Sequence, residues 1–245
     1  MDTQQIIVQC RKLRDAYVQG RLGYMKMPED SHPEFSNEDE RLTYFTLPMS
    51  LNYQRDSYKL WEAALQTYTD ADTRIVFDIA ASATIPEEEL RAKLVVHKVA
   101  LQPHKHIATW RTIAQTIYTH WKTIKGLLAF VDYDYLTLRK IVQETYKKGF
   151  PYISGPKIFN YWCFILQAYG GVTLKNVEYI EIAPDTHIIQ CSVRLGVISQ
   201  EESESLSRDA IAMRWRGILQ GSGINPIDMH PPLWFWSRNN FKYEL

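Results

Sequence analysis

Apolar residues recur at helical spacing along nearly the whole chain. Ile6, Ile7, Cys10, Leu13 and Tyr17 predict a helix over residues 3–18. Leu60, Trp61, Ala64, Leu65 and Tyr68 share one face of Ser57–Tyr68, and Trp110, Ile113, Ala114, Ile117, Tyr118 and Trp121 share one of Ile107–Trp121. Thr43–Gln54 reads as an apolar-rich helix despite Pro48. Thr84-Ile85-Pro86-Glu87 reads as a start, with a capping threonine and an acidic first turn, for a helix reaching about Val99. Pro103 then breaks the chain. Gly126–Val131 is a short apolar piece, and Asp134 suits the cap of Tyr135–Lys148. A further helix opens with Pro156 at its first position and Ser154 or Gly155 at its cap, and runs to about Tyr169. Asp185 suits the cap of Thr186–Leu195. Ser199-Gln200-Glu201-Glu202 is a capping box that opens one long helix to about Gln220, closed by Gly221-Ser222-Gly223. Pro231–Arg238 is a last short helix. Residues 20–40 read as a long loop, and 170–184 as a connection whose best strand candidate is Val177–Ile182. The fold class expected is therefore mostly α.

The 245 residues, 45% hydrophobic, suffice for one large domain or two closely packed lobes. Mean hydropathy is −0.31, and no run approaches the roughly 18–20 apolar residues that cross a bilayer. Met1-Asp2-Thr3-Gln4-Gln5 lacks the basic start and apolar stretch of a signal peptide. The expectation is a cytoplasmic monomer with no membrane partner. Cys10, Cys163 and Cys191 are too few for a four-cysteine metal site and too scattered for a disulfide framework. No metal and no cofactor is implied.

Zero net charge conceals segregation. Residues 1–90 carry nine Lys/Arg against sixteen Asp/Glu, residues 91–157 twelve against three, and residues 158–245 seven against nine. The basic middle suits contact with a phosphate backbone. It equally suits solvated helix faces paired with the acidic N-terminal part.

The most informative stretch is Lys147-Lys148-Gly149-Phe150-Pro151-Tyr152-Ile153-Ser154-Gly155-Pro156-Lys157, answered by Pro184-Asp185-Thr186-His187. A helix end, a tight turn and a new helix start make a phosphate site from backbone amides, with Ser154, Gly155, Lys147 and Lys148 as its DNA-binding residues. A lysine in a first helical turn sits in an unfavourable dipole potential, and burial would disfavour its ammonium further. A neutral amine is what Schiff-base chemistry needs. An N-cap carboxylate such as Asp185 stays ionised easily. The same residues also suit an ordinary αα-hairpin, a surface lysine and a purely structural cap.

Gly155-Pro156-Lys157, then Asn160, then Pro184-Asp185-Thr186-His187-Ile188 resemble the helix-hairpin-helix DNA glycosylase superfamily. The stretch from Gly221 to Arg238 is similar to the end of the archaeal 8-oxoguanine (GO) DNA glycosylase/AP lyase family, and so is Leu51-Asn52-Tyr53 followed by Trp61-Glu62. The similarity covers residues 45–240 in patches. It implies a two-lobed helical fold forming one unit over residues 1–245. The hairpin and catalytic region would span about 134–195, with the N- and C-terminal segments sharing the other lobe. It implies Lys157 as nucleophile and Asp185 as its carboxylate partner in a cleft between the lobes. Tyr161, Trp61 and Trp234 would wall the pocket of a flipped base. Trp110, Trp121, Trp162 and Trp215 are expected in the core.

Two positions depart from the pattern. The hairpin lacks the Pro-Gly-x-Gly run of the wider superfamily. His230 stands where the archaeal family has a base-contacting aspartate, with Asp228 two residues before it. A neutral imidazole accepts or donates, whereas a carboxylate only accepts, so the base need not be 8-oxoguanine. The function expected is a DNA N-glycosylase with AP lyase activity on double-stranded DNA, excising a damaged or modified base, a purine with 8-oxoguanine among the candidates, through a lysine Schiff base; the protein would be nucleoid-associated when bound to DNA. The alternatives are an N-ribosyl hydrolase of a free modified nucleoside or nucleotide, and a DNA-binding protein without catalysis.

Overall fold

A computed structural model describes residues 2–53 and 55–245. In chain order its helices are α1 (Thr3–Val18), α2 (Glu38–Thr46), α3 (Ser57–Thr69), α4 (Ile79–Thr84), α5 (Glu87–Val96), α6 (Pro103–His120) and α7 (Ile124–Phe130). They continue with α8 (Tyr135–Lys140), α9 (Pro156–Ala168), α10 (Thr186–Arg194), α11 (Gln200–Ser205), α12 (Arg208–Leu219) and α13 (His230–Arg238). Among the described residues there is no strand, so the protein is mostly α. No helix among them is long and apolar enough to cross a membrane.

Backbone contacts divide the chain into two compact units, Met27–Asn176 and the combined segments Met1–Lys26 and Val177–Leu245. The boundary at Asn176 falls inside the 134–195 region expected to form one part. In the 27–176 unit, α4 and α6 pack closely and Trp110 is fully buried. Its indole N–H reaches the Val76 carbonyl and the Ser82 hydroxyl, each at 3.2 Å. In the other unit α13 packs on α10 and α1. There Trp215, also fully buried, donates to Ser192 Oγ at 2.8 Å.

Caps mark most starts. Asn37, Asp56, Asp78, Thr123, Asp134, Asp185, Ser199 and Ser207 each accept a hydrogen bond from the third residue of their helix. Several expectations are corrected. The Thr43–Gln54 helix begins instead at Glu38, behind the Asn37 cap, and Pro48 ends it in a 3₁₀ turn over Pro48–Leu51. Gln54, its expected end, and Met1 lie outside the described residues. Thr84 does not cap α5. It closes α4, its hydroxyl donating to the Ala80 carbonyl at 2.8 Å, while Pro86 is the residue before α5. Pro103 opens α6 rather than breaking the chain, because proline at the first position loses no intrahelical bond. The helix expected to run from Ser199 to Gln220 is two helices. Leu206 is extended and Ser207 caps α12 anew. Val177–Ile182 is a 3₁₀ turn followed by chain without regular secondary structure.

All three cysteines are buried and unpaired. Burial pushes the Cys10 thiol up to about 12 and raises those of Cys163 and Cys191 well above their ordinary range. They are packing residues, not nucleophiles.

Candidate functional site

The hairpin departs from a plain helix–turn–helix. After α8 the backbone widens into a π turn over Ile141–Thr145, tightens to 3₁₀ at Lys147–Gly149, and crosses to α9. Phe150 and Ile153 are fully buried and anchor the crossing. Gly149 sits on Thr116, where a Cβ would come within 2.6 Å of that side chain. Glycine is not required at Gly155 by its backbone, which has φ −72°. The left-handed residue is Tyr152, φ 63°. Ser154 N–H donates to the Phe150 carbonyl at 2.9 Å, and Gly155 N–H to that of Tyr152 at 3.0 Å.

Gly155 and Pro156 stand at the cap and first position of α9, as expected. No side chain caps this helix and no carboxylate stands in its first turn. Lys157 is in that turn and exposed; Lys147 and Lys148 are exposed as well, and Ser154 is half-buried. Asn160 braces the turn. Its amide donates to the Pro156 carbonyl at 2.8 Å, and its Oδ1 accepts from the hydroxyl of buried Tyr135 at 2.7 Å. That clamp ties the start of α9 to α8.

The basic block divides as both readings of it allow. Arg91, Lys93 and Lys125 pair with Glu87 and Glu88, Glu89, and Glu38 respectively. Among the described residues, no ion pair joins Lys98, Lys105, Lys122, Lys140, Lys147 or Lys148 to a carboxylate.

Two of the predicted pocket residues, Trp61 and Tyr161, meet at a group the sequence reading missed. Glu29, in the stretch read as loop, is 1% exposed. Its Oε1 accepts from Tyr161 Oη at 3.1 Å. The Trp61 indole N–H also favours the carboxylate form, yet neither Trp61 Nε1 nor Glu29 Oε2 completes a hydrogen bond. Burial pushes the Glu29 carboxyl up to about 7, against the opposing effect of its hydrogen bonds. Trp61 itself is fully enclosed, with ring contacts to Tyr44 and Phe45, as core packing would have it. Tyr161 is half-buried and stacks on Phe164. Among the sixteen acidic residues of 1–90, Glu29 is set apart only by the flanking Met27-Pro28.

In the other unit Asp185 is half-buried and its carboxylate accepts from Ile188 N–H at 2.9 Å. The Arg208 guanidinium holds the preceding Pro184 carbonyl. His187 is pushed below its ordinary range, chiefly by burial, with Asp185 opposing and Arg238 assisting. Its Nδ1 lies 3.0 Å from Ser237 Oγ, which donates to Gln190 Oε1 at 2.7 Å. The Nδ1–H tautomer is therefore the one that fits. His187 meets Trp234 edge to face, and Arg238 lies 4.9 Å over the Trp234 ring. Trp234 and His230 are both buried, at 8% and 4% exposure, while Asp228 is exposed. Of the tryptophans expected in the core, Trp110, Trp162 and Trp215 are fully buried. Trp121 is half-buried against Tyr146 and Phe150.

Among the described residues no group of three or more His, Cys, Asp or Glu is placed to hold a metal ion. A surface groove of about 460 Å³ is lined by Gln4, Gln5, Val8, Gln9, Lys12 and Leu245, none of them a predicted site residue. No family model matches the chain, and no curated protein gives a significant match to it.

Proposed function

We propose that this protein is a DNA N-glycosylase with AP lyase activity, built on a two-lobed helix-hairpin-helix glycosylase-like fold and acting on a damaged or modified purine. The observation that carries the reading is the braced hairpin. Buried Phe150 and Ile153 and the Asn160 clamp hold an exposed lysine in the first turn of a helix that has no side-chain cap. Such a helix start favours a phosphate, and a strand docked there excludes water from the Lys157 ammonium. In the proposed reaction Lys157 Nζ gives its electron pair to C1′ as the C1′–N bond breaks, and that bond's pair leaves with the base. Asp185, ionised, steadies the positive charge developing on the sugar, then takes the proton that the attacking nitrogen sheds and returns it to the departing base. Sugar-ring opening yields a Schiff base, and loss of a 2′ proton expels the 3′ phosphate. Tyr161, with Glu29 behind it, together with Trp234 and His230, is proposed to recognise the flipped base.

Borohydride trapping is the test. It reduces the imine and links protein to DNA. Wild type is expected to cross-link to at least one duplex of a single-lesion panel, and Lys157→Gln to give no cross-link. A Lys157→Gln protein that traps as well as wild type removes Lys157 from the chemistry. Turnover of a free nucleoside with no trapping on any duplex would favour the hydrolase alternative instead.

The base pocket gives a second expected result. His230→Asp, checked for folding by its thermal midpoint because the site is buried, is expected to shift excision toward 8-oxoguanine. Trp234→Ala is expected to slow excision about tenfold, given ~1–3 kcal/mol per stacked base. Excision rates across the lesion panel measure both. A substrate profile untouched by His230→Asp places His230 outside the pocket.

A further inference from the structure

The tip of the hairpin carries a feature that the chemistry at Lys157 does not use. Tyr152 is held at φ 63°, a conformation that ordinarily selects glycine. Phe150 and Ile153, both fully buried, fix the chain on either side of it, while Tyr152 itself is half-buried. Strain kept at a partly exposed aromatic points toward use. The ring is not alone. Tyr53, 51% exposed, lies against it with centroids 5.5 Å apart and planes 33° apart. Lys105 Nζ stands 5.1 Å from the Tyr152 centroid and 6.0 Å from that of Tyr53.

The surroundings are cationic. Lys105 belongs to the first turn of α6, which has no side-chain cap and no acidic residue there. Arg55 and Lys105 both bear on His106 and, after burial, depress its pKa, so the three groups are neighbours. Arg55 spends its hydrogen bonds on the carbonyls of Val99 and Lys98. The neighbouring carboxylate, Asp56, is occupied capping α3. Lys147, Lys148 and Lys157 stand on the same hairpin and are exposed.

We propose that Tyr53, Tyr152 and Lys105 form a stacking platform for an unpaired nucleotide of a DNA strand. The base stacks on the exposed half of Tyr53, Tyr152 backs it, and Lys105 meets the phosphate. A π-face joined to a negative charge is the ligand that two tyrosines under an ammonium match. Several lysines along the hairpin suit several phosphates, which commits the occupant to a strand rather than a free nucleotide. This inference rests on the protein binding DNA, but not on chemistry at Lys157.

The test uses a duplex carrying one unpaired 2-aminopurine opposite a tetrahydrofuran abasic analogue. Wild type is expected to quench the 2-aminopurine and bind in anisotropy titrations. Tyr53→Ala and Tyr152→Gly are each expected to lose the quenching and about tenfold in affinity, while Tyr53→Phe retains both. Tyr152→Gly also relieves the left-handed backbone, so its thermal midpoint should not fall. Lys105→Gln is expected to lower the slope of log K against log salt by about 0.9. Wild-type quenching and affinity in both tyrosine variants overturn the platform. Binding of 2-aminopurine nucleoside monophosphate as tightly as the duplex overturns the strand as its occupant. If Lys157 fails to trap while the tyrosine variants lose binding, the platform stands and the lyase reading falls. Trapping with unaffected tyrosine variants is the reverse.

Discussion

Asp185→Asn is expected to leave the protein folded and nearly inactive. The carboxylate oxygen that accepts from Ile188 N–H at 2.9 Å is replaced by an amide oxygen that does the same, and asparagine is as good a cap as aspartate. Stability should therefore fall by no more than about 1 kcal/mol. The chemistry proposed for Asp185 is different in kind. Taking a proton from an amine and facing a positive sugar both need the negative charge, which asparagine lacks. Loss of a positioned acid–base group lowers rates by about 10²–10⁴-fold, and excision should fall within that range. Single-turnover excision together with a denaturation curve checks both halves. A stable Asn variant with wild-type excision returns Asp185 to the role of a cap, leaving α10 explained and the reaction without its base.

The second large effect concerns pH. Glu29 is 1% exposed with its carboxyl raised to about 7. Its neighbours are Tyr161 from α9, Trp61 from α3, Tyr44 from α2 and Asp30 beside it. None of these is a cation. A folded pKa above the unfolded value means that the folded state binds the proton more tightly. Stability from this group is then fully present below the unfolded value near 4.5 and is lost as pH rises through about 7. The full difference is about 3 kcal/mol as an order of magnitude, at roughly 1.4 kcal/mol per unit. Wild type should be more resistant to urea at pH 5 than at pH 8.5. Glu29→Gln, neutral throughout and still able to accept from Tyr161, should remove most of that difference and be the more stable protein at pH 8.5. Equal pH dependence in the two proteins would mean that the Glu29 carboxyl finds water or a cation in solution.

Helix identity was readable where the cause is local. Asp134 and Asp185 cap the helices they were expected to cap, since a capping side chain reaches only three residues along its own chain. The same rule read further would have split the 199–220 stretch, because Ser207 caps α12 as plainly as Ser199 caps α11. Pro48 and Pro103 misled for a related reason. A proline ends one helix and opens another, and the neighbouring residues decide which.

The sequence by itself determined the helical class, the caps at Asp134, Asp185 and Ser199, and the lysine at a helix start. Each of these follows from periodicity or from contacts within a few residues. Only the tertiary structure decided that Glu29 is buried, because its partner Tyr161 is 132 residues away. It also decided that Asn160 clamps the hairpin to Tyr135, 25 residues earlier. The left-handed residue of the turn is Tyr152 rather than Gly155 for the same reason: the buried Phe150 and Ile153 set the path of the backbone there. A residue's own propensity yields when the neighbours that enclose it are anchored by the core.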